Sequence, residues 1–166
     1  MRNHDGKRSA IVYGILAAAW LAVMFFFSGQ NGSDSGELSG KVTRLLFGWL
    51  IDRGVGFDTL HIITRKLAHC GIFAVEGWLL GSALLRCMRA QRAVVLTAVV
   101  CACVAGLNEL HQLTSSGRSA EFRDVMIDTA GALMGLAFAV VVWHAFSAFK
   151  RRKAKKYITT KIYNDR

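Results

Sequence analysis

The stretch VMIDTAGALMGLAFAVVVWHAFSAF, residues 125–149, holds one carboxylate, Asp128, and no other formal charge. About 20 consecutive apolar residues suffice to cross a bilayer as an α-helix, so this run reads as a transmembrane span. Working outward, residues 10–27, 67–85 and 93–113 approach or meet the same length. The second and third of these four runs carry polar residues. The chain has 166 residues, is 53% hydrophobic and lacks proline. That length suits one domain, and apolar content in unbroken runs implies a core shared with lipid. The expectation is an all-α polytopic membrane bundle of four transmembrane helices. It divides into a transmembrane domain over residues 1–149 and a basic tail over 150–166.

Arg2, Lys7 and Arg8 ahead of the first run also fit a signal peptide. That run is longer than the 7–15 apolar residues usual for a signal and ends in Phe25-Phe26-Phe27-Ser28 rather than a small-residue cleavage pattern. It therefore reads as a retained helix.

The formal charge of +10 is unevenly placed. The segment before the first run, the loop between the second and third, and the C-terminal tail together hold 14 of the 21 basic residues and 2 of the 11 acids. Arg86, Arg89 and Arg92 form that loop's basic set, and Lys150, Arg151, Arg152, Lys153, Lys155 and Lys156 open the tail. Basic loops stay cytoplasmic, which puts both termini inside and agrees with four spans. The tail then anchors to anionic lipid, at about 1 kcal/mol per basic residue near the surface. No aromatic interleaving or nucleic-acid motif accompanies the charge, so nucleic acid is not an expected partner.

Between the first two runs, Val42, Leu45, Leu46, Trp49 and Leu50 fall at i, i+3, i+4, i+7 and i+8, one stripe of an amphipathic helix. Such a helix could lie in the outer interface or cap the bundle. Asp58 is placed to cap a further helix leading into the second span. The short connection from Thr114 to Arg123 makes the third and fourth spans antiparallel neighbours. Cys101 and Cys103, two apart, do not share a helical face, and with Cys70 and Cys87 they read as small apolar fillers.

Ionisable groups in membrane spans are costly and usually mark a site. Lys66, His69, Phe73 and Glu76 recur at steps of 3, 4 and 3, forming one stripe on the second span. Glu76 lies two turns deeper than His69 and calls for a partner in the bundle. On the third span Asn108, Glu109 and Gln112 can share one broad face, with His111 nearby. On the fourth, Asp124, Asp128, Gly131 and Gly135 recur at steps of 4, 3 and 4, and the glycines permit close approach of a neighbouring helix. Arg118 and Arg123 are natural partners for Glu109 or the aspartates. His69, Glu109 and Asp124 are candidate catalytic groups, His69 or Glu109 as general base, while Lys66 and Arg118 could bind phosphate. The same set could recognise a charged head group without chemistry, or serve only as a buried ion-pair network that locks the bundle. A metal could be held by His69, Glu109, Asp124 and Asp128, but no tight ligand spacing supports one, so no metal and no cofactor is expected.

Three segments taken together resemble the VanZ-like family: Arg65-Lys66-Leu67-Ala68-His69; Glu109-Leu110-His111-Gln112-Leu113 with Gly117-Arg118-Ser119; and Arg123-Asp124 through Asp128 to Gly131 and Gly135. Phe27-Ser28-Gly29-Gln30, with Ser35 and Ser39, is similar to that family's first motif. The likeness runs from about Ala10 to Trp143. It departs where Ile72 replaces a common acidic residue, Asn108 an aspartate and Ser116 a proline.

The resemblance implies a multi-pass protein of the bacterial inner membrane, from a family whose named member is associated with resistance to teicoplanin. It implies action at the outer leaflet on or with membrane lipids, a lipid-linked envelope precursor or a glycopeptide. Carried over by motif, it points to Lys66, His69, Glu109, Gln112, Arg118, Asp124 and Asp128. A membrane-embedded enzyme on a phosphate-bearing lipid and an assembly protein remain the alternatives, and the oligomeric state is open.

Overall fold

The computed structural model describes residues 4–29, 32–114 and 121–164. They form five helices, α1 (His4–Ser28), α2 (Gly32–Ile51), α3 (Phe57–Cys87), α4 (Ala90–Gln112) and α5 (Phe122–Asn164), with no strand among the described residues. Four are long and apolar enough to cross a membrane: Gly6–Ser28, Phe57–Cys87, Ala90–Gln112 and Phe122–Lys153. Large apolar side chains such as Ile15, Val95 and Val141 stand exposed along them. That surface suits hydrocarbon, where an intact helix satisfies its own backbone.

Helix α3 is the hub and touches α1, α2, α4 and α5. Its most extensive contact is with α5. Cys70 faces Gly131, Ala74 faces Gly135, and Gly81 faces Leu136 and Ala139, so contacts advance together along both helices, which are therefore parallel. A Cβ at Gly131 would strike the carbonyl of Cys70, one at Gly135 the carbonyl of Ala74, and one at Gly77 the carbonyl of Ala132. Small residues bring the two backbones together in the absence of a hydrophobic drive between helices in lipid. Helix α4 also packs on α5 as the short connection implies, but the parallel α3–α5 pair is the closer one.

Two helices, α3 and α5, run well past the apolar runs that announce them. Helix α3 starts at Phe57, ten residues before the apolar run, and is continuous from there. Its N-cap is Gly56, and Asp58 sits in the first turn, where a carboxylate meets the positive end of the helix dipole. Helix α5 continues beyond its apolar part to Asn164, carrying the basic tail as helix, with Lys150 over the Phe146 ring and Lys153 over Phe149. The turn from α2 into α3 passes through Gly54 at φ +92°, a left-handed position that glycine occupies without strain.

Helix α2 turns its expected apolar stripe outward: Leu45 is 83% exposed, and Val42, Leu46 and Trp49 are exposed too. It attaches to α3 by its small polar face instead, with Thr43 fully buried and Ser39 Oγ 2.6 Å from His61 Nε2. Lys41, 2.7 Å from Glu37 on a solvated edge, holds that carboxyl below its usual range. An uncovered apolar stripe beside solvated charges is the arrangement of an interfacial helix rather than of a cap packed through its stripe.

Candidate functional site

The ends of α3, α4 and α5 that hold Lys66, Gln112 and Asp124 gather most of the charged residues singled out above. Lys66 and His69 stand one turn apart on α3, and Asp124 and Asp128 one turn apart on α5. The parallel register matches them rung for rung. Lys66 Nζ lies 3.3 Å from Asp124 Oδ1, and His69 Nδ1 lies 3.5 Å from Asp128 Oδ1. The first pair is partly solvated, with side chains 40% and 26% exposed. An ion pair of that kind is worth no more than about 1 kcal/mol. Lys66→Gln should therefore shift thermal unfolding of the detergent-solubilised protein by only a few degrees, and a collapse of the fold would show that the pair is structural.

The second pair is different. Asp128 is 0% exposed, and neither carboxylate oxygen has a hydrogen-bond partner among the described residues. At 3.5 Å, His69 is near enough to be attracted and too far to be counted as a hydrogen-bond donor.

Glu109 is buried at the end of α4 and uses both oxygens. Oε1 accepts from Gln112 Nε2 at 3.1 Å, one turn along the same helix. Oε2 accepts from the backbone N–H of Glu121 at 3.1 Å, immediately before α5 begins. A carboxylate from one helix thus holds the N-terminal end of the next, where unpaired N–H groups and the helix dipole favour negative charge. Asn108 and Gln112 are buried with it, as their shared face implies.

Other expected placements change. Arg123 is exposed and makes no ion pair among the described residues. Next to Asp124 on one helix, it projects about 100° away from it, so the aspartate meets Lys66 across the interface instead. Arg118 lies outside the described residues. Glu76 is buried deeper, beside Cys101, and its Oε2 has no hydrogen-bond partner among the described residues, so the expected partner is not found. His111 stacks edge-on against Phe25 of α1, 5.5 Å between ring centres, two positions around α4 from Glu109. Cys101 is buried and Cys103 exposed, on separate faces as expected. No three His, Cys, Asp or Glu side chains converge as metal ligands among the described residues.

A cavity of about 310 Å³ opens beside this cluster, between the end of α1, α2, α3 and Asn108 of α4. Met24, Phe27, Leu38, Val42, Ile72 and Phe73 make its apolar wall. Ser35, Ser39, Arg65, His69 and Asn108 are polar residues at the same cavity. His69 therefore belongs to both features: Nδ1 faces Asp128, which leaves Nε2 for the cavity side. A model of the VanZ/LLP1 family matches residues 13–144, most of the chain. The chain belongs to the VanZ/LLP1 family. No curated protein and no solved structure matches it.

In this VanZ/LLP1 protein, Arg65 at the cavity and the pair Ser39 and His61 are not among the residues that spacing picks out. A signal for Arg65 was present, since Arg65, His69 and Ile72 recur at i, i+4 and i+7 and form the cavity-facing stripe of α3. The stripe through Lys66 and Glu76 runs beside it and faces α5 at its Lys66 end. No comparable periodicity could pair Ser39 with His61, which belong to different helices.

Proposed function

We propose that this protein acts at the outer leaflet of the bacterial cytoplasmic membrane, binding a lipid or lipid-linked envelope precursor so that teicoplanin becomes less effective. The observation that carries the reading is the apolar cavity meeting His69 at the edge of the buried polar cluster. Clefts that take amphiphiles combine an apolar wall with a few fixed polar groups, and about 310 Å³ lies at the small end of such sites. The skew of basic residues supports the orientation, because it sets the cluster on the side away from the cytoplasm.

The test is teicoplanin susceptibility in a sensitive Gram-positive host, comparing empty vector, wild type, Glu109→Gln and His69→Gln at matched membrane abundance. Wild type is expected to protect, and both variants to fall to the level of empty vector. Equal protection by both variants would remove the cluster from the function, and no protection by wild type would cut the antibiotic link for this member.

A second reading has its own observation. His69, 3.5 Å from the buried Asp128 and at the cavity, has the groups that a general base and its carboxylate partner would need. Chemistry on a phosphate-bearing lipid would follow from that arrangement. A lipid product that appears with wild type and disappears with His69→Gln distinguishes an enzyme from a binder.

A further inference from the structure

The other cations on α2, α3 and the turn between them are already engaged. Lys66 pairs with Asp124, Lys41 with Glu37, Arg44 lies over Phe57, Arg53 over Trp49 and Arg86 over Tyr13. Arg65 is half-buried, lines the cavity, and makes no ion pair, hydrogen bond or ring contact among the described residues. Lys66, its neighbour in sequence, does not line the cavity and is neutralised by Asp124. A guanidinium with no counter-charge among the described residues, at an apolar cavity, calls for an anion that brings its own apolar part. Arg65 and His69 are four residues apart on α3, so they present donors on one face. A guanidinium offers a planar fork that matches phosphate oxygens two at a time.

We propose that the cavity binds an anionic amphiphile drawn from the membrane, its phosphate on Arg65 and the start of its chain against Phe73, Ile72 and Val42. The cavity takes the head and the first part of one chain, and the remainder lies in lipid beyond α2. Ser39 at His61 holds the small polar face of α2 on α3, which keeps this wall closed over the chain. The assignment rests on the outer-leaflet binding reading above and names the ligand class of that same site.

The test uses purified full-length protein in phosphatidylcholine nanodiscs, titrated with dodecyl phosphate, with dodecanol and with inorganic phosphate, and read by intrinsic tryptophan fluorescence. Dodecyl phosphate should bind at least about tenfold more tightly than either of the others, since a charge-assisted hydrogen bond and apolar burial each contribute at that scale. Arg65→Gln should weaken dodecyl phosphate about tenfold or more, with Arg65→Lys in between. Lys41→Gln, which removes a nearby charge outside the cavity, should bind as wild type. Ala68→Trp crowds the lining without altering charge and should block binding, which keeps the proposal open to refutation even where Arg65→Gln does not fold. Wild-type binding by Arg65→Gln or by Ala68→Trp overturns it. So does dodecanol binding as tightly as dodecyl phosphate, which removes the anion, and so does inorganic phosphate binding as tightly, which removes the chain. No antibiotic enters this assay, so its failure is separate from loss of the teicoplanin phenotype.

Discussion

Gly135→Leu should abolish accumulation of folded protein. The Cβ it adds meets the Ala74 carbonyl and approaches the Trp78 backbone nitrogen at 2.9 Å, so no rotamer of a flexible neighbour can relieve it. Overpacking a core ordinarily costs about 1–3 kcal/mol through shifted side chains. Here two backbones must separate, and the separation also pulls Lys66 from Asp124 and His69 from Asp128. The expected cost exceeds about 3 kcal/mol, a large part of the stability of a small domain. Gly14→Leu and Gly106→Leu make the comparison, since a Cβ at either has nothing within 4 Å. Size-exclusion chromatography and thermal unfolding after detergent extraction give the readout. If Gly135→Leu is as monodisperse and as heat-stable as Gly14→Leu, the close approach of α3 and α5 does not hold the fold together.

The same contact shows what hydropathy can and cannot convey. The four spans were legible because each apolar run exceeds what a soluble core needs, and the apolar stripe of α2, though not its outward direction, because its period is helical. Helix limits were less so. Residues 57–66 include Asp58, Arg65 and Lys66, which lower hydropathy while leaving the backbone free to continue as helix. After Gly135 no glycine or proline interrupts α5, so the helix carries on through residues too charged to span. Gly131 and Gly135 announced a close neighbour but not which one. Gly77 and Gly81 on α3 repeat the same i, i+4 spacing, and that match identifies the partner only once both helices are viewed together.

Within the site, residue types and shared faces were legible, and pairings across helices were not. Lys66 and His69 meet Asp124 and Asp128 because parallel packing through glycine fixes an axial offset, and no single helix encodes that offset. Arg123 looked like a partner by adjacency along the chain, which on a helix means separation around it. Glu109 was legible as a buried carboxylate, but its bond to Glu121 N depends on where α5 begins. Both its oxygens accept, and a glutamine offers one acceptor, so Glu109→Gln leaves a buried amide facing a donor. That cost of about 1–3 kcal/mol is the reason its phenotype must be read at matched abundance.

Asp128→Leu should make the protein more stable and inactive. Leucine keeps the branched skeleton of aspartate with methyl groups in place of the two oxygens, and the site it would occupy is fully buried. The aspartate has surrendered its hydration there without gaining a hydrogen bond among the described residues, and a histidine lies 3.5 Å away. Replacing a buried ionic group by a well-packed apolar one is often neutral or stabilising by about 1–4 kcal/mol, whereas breaking a network that holds the fold costs about 3–5 kcal/mol. The two accounts of the cluster therefore predict opposite signs. If Asp128 exists to orient His69 for a ligand, Asp128→Leu raises the unfolding temperature in detergent and removes teicoplanin protection together. His69 is 21% exposed, so once freed it can be hydrated and adds little cost of its own. If the cluster locks the bundle, the unfolding temperature falls instead, and protection is lost only as far as abundance is. A stabilised variant that still protects would exclude both accounts, because the carboxylate would then serve neither the ligand nor the fold.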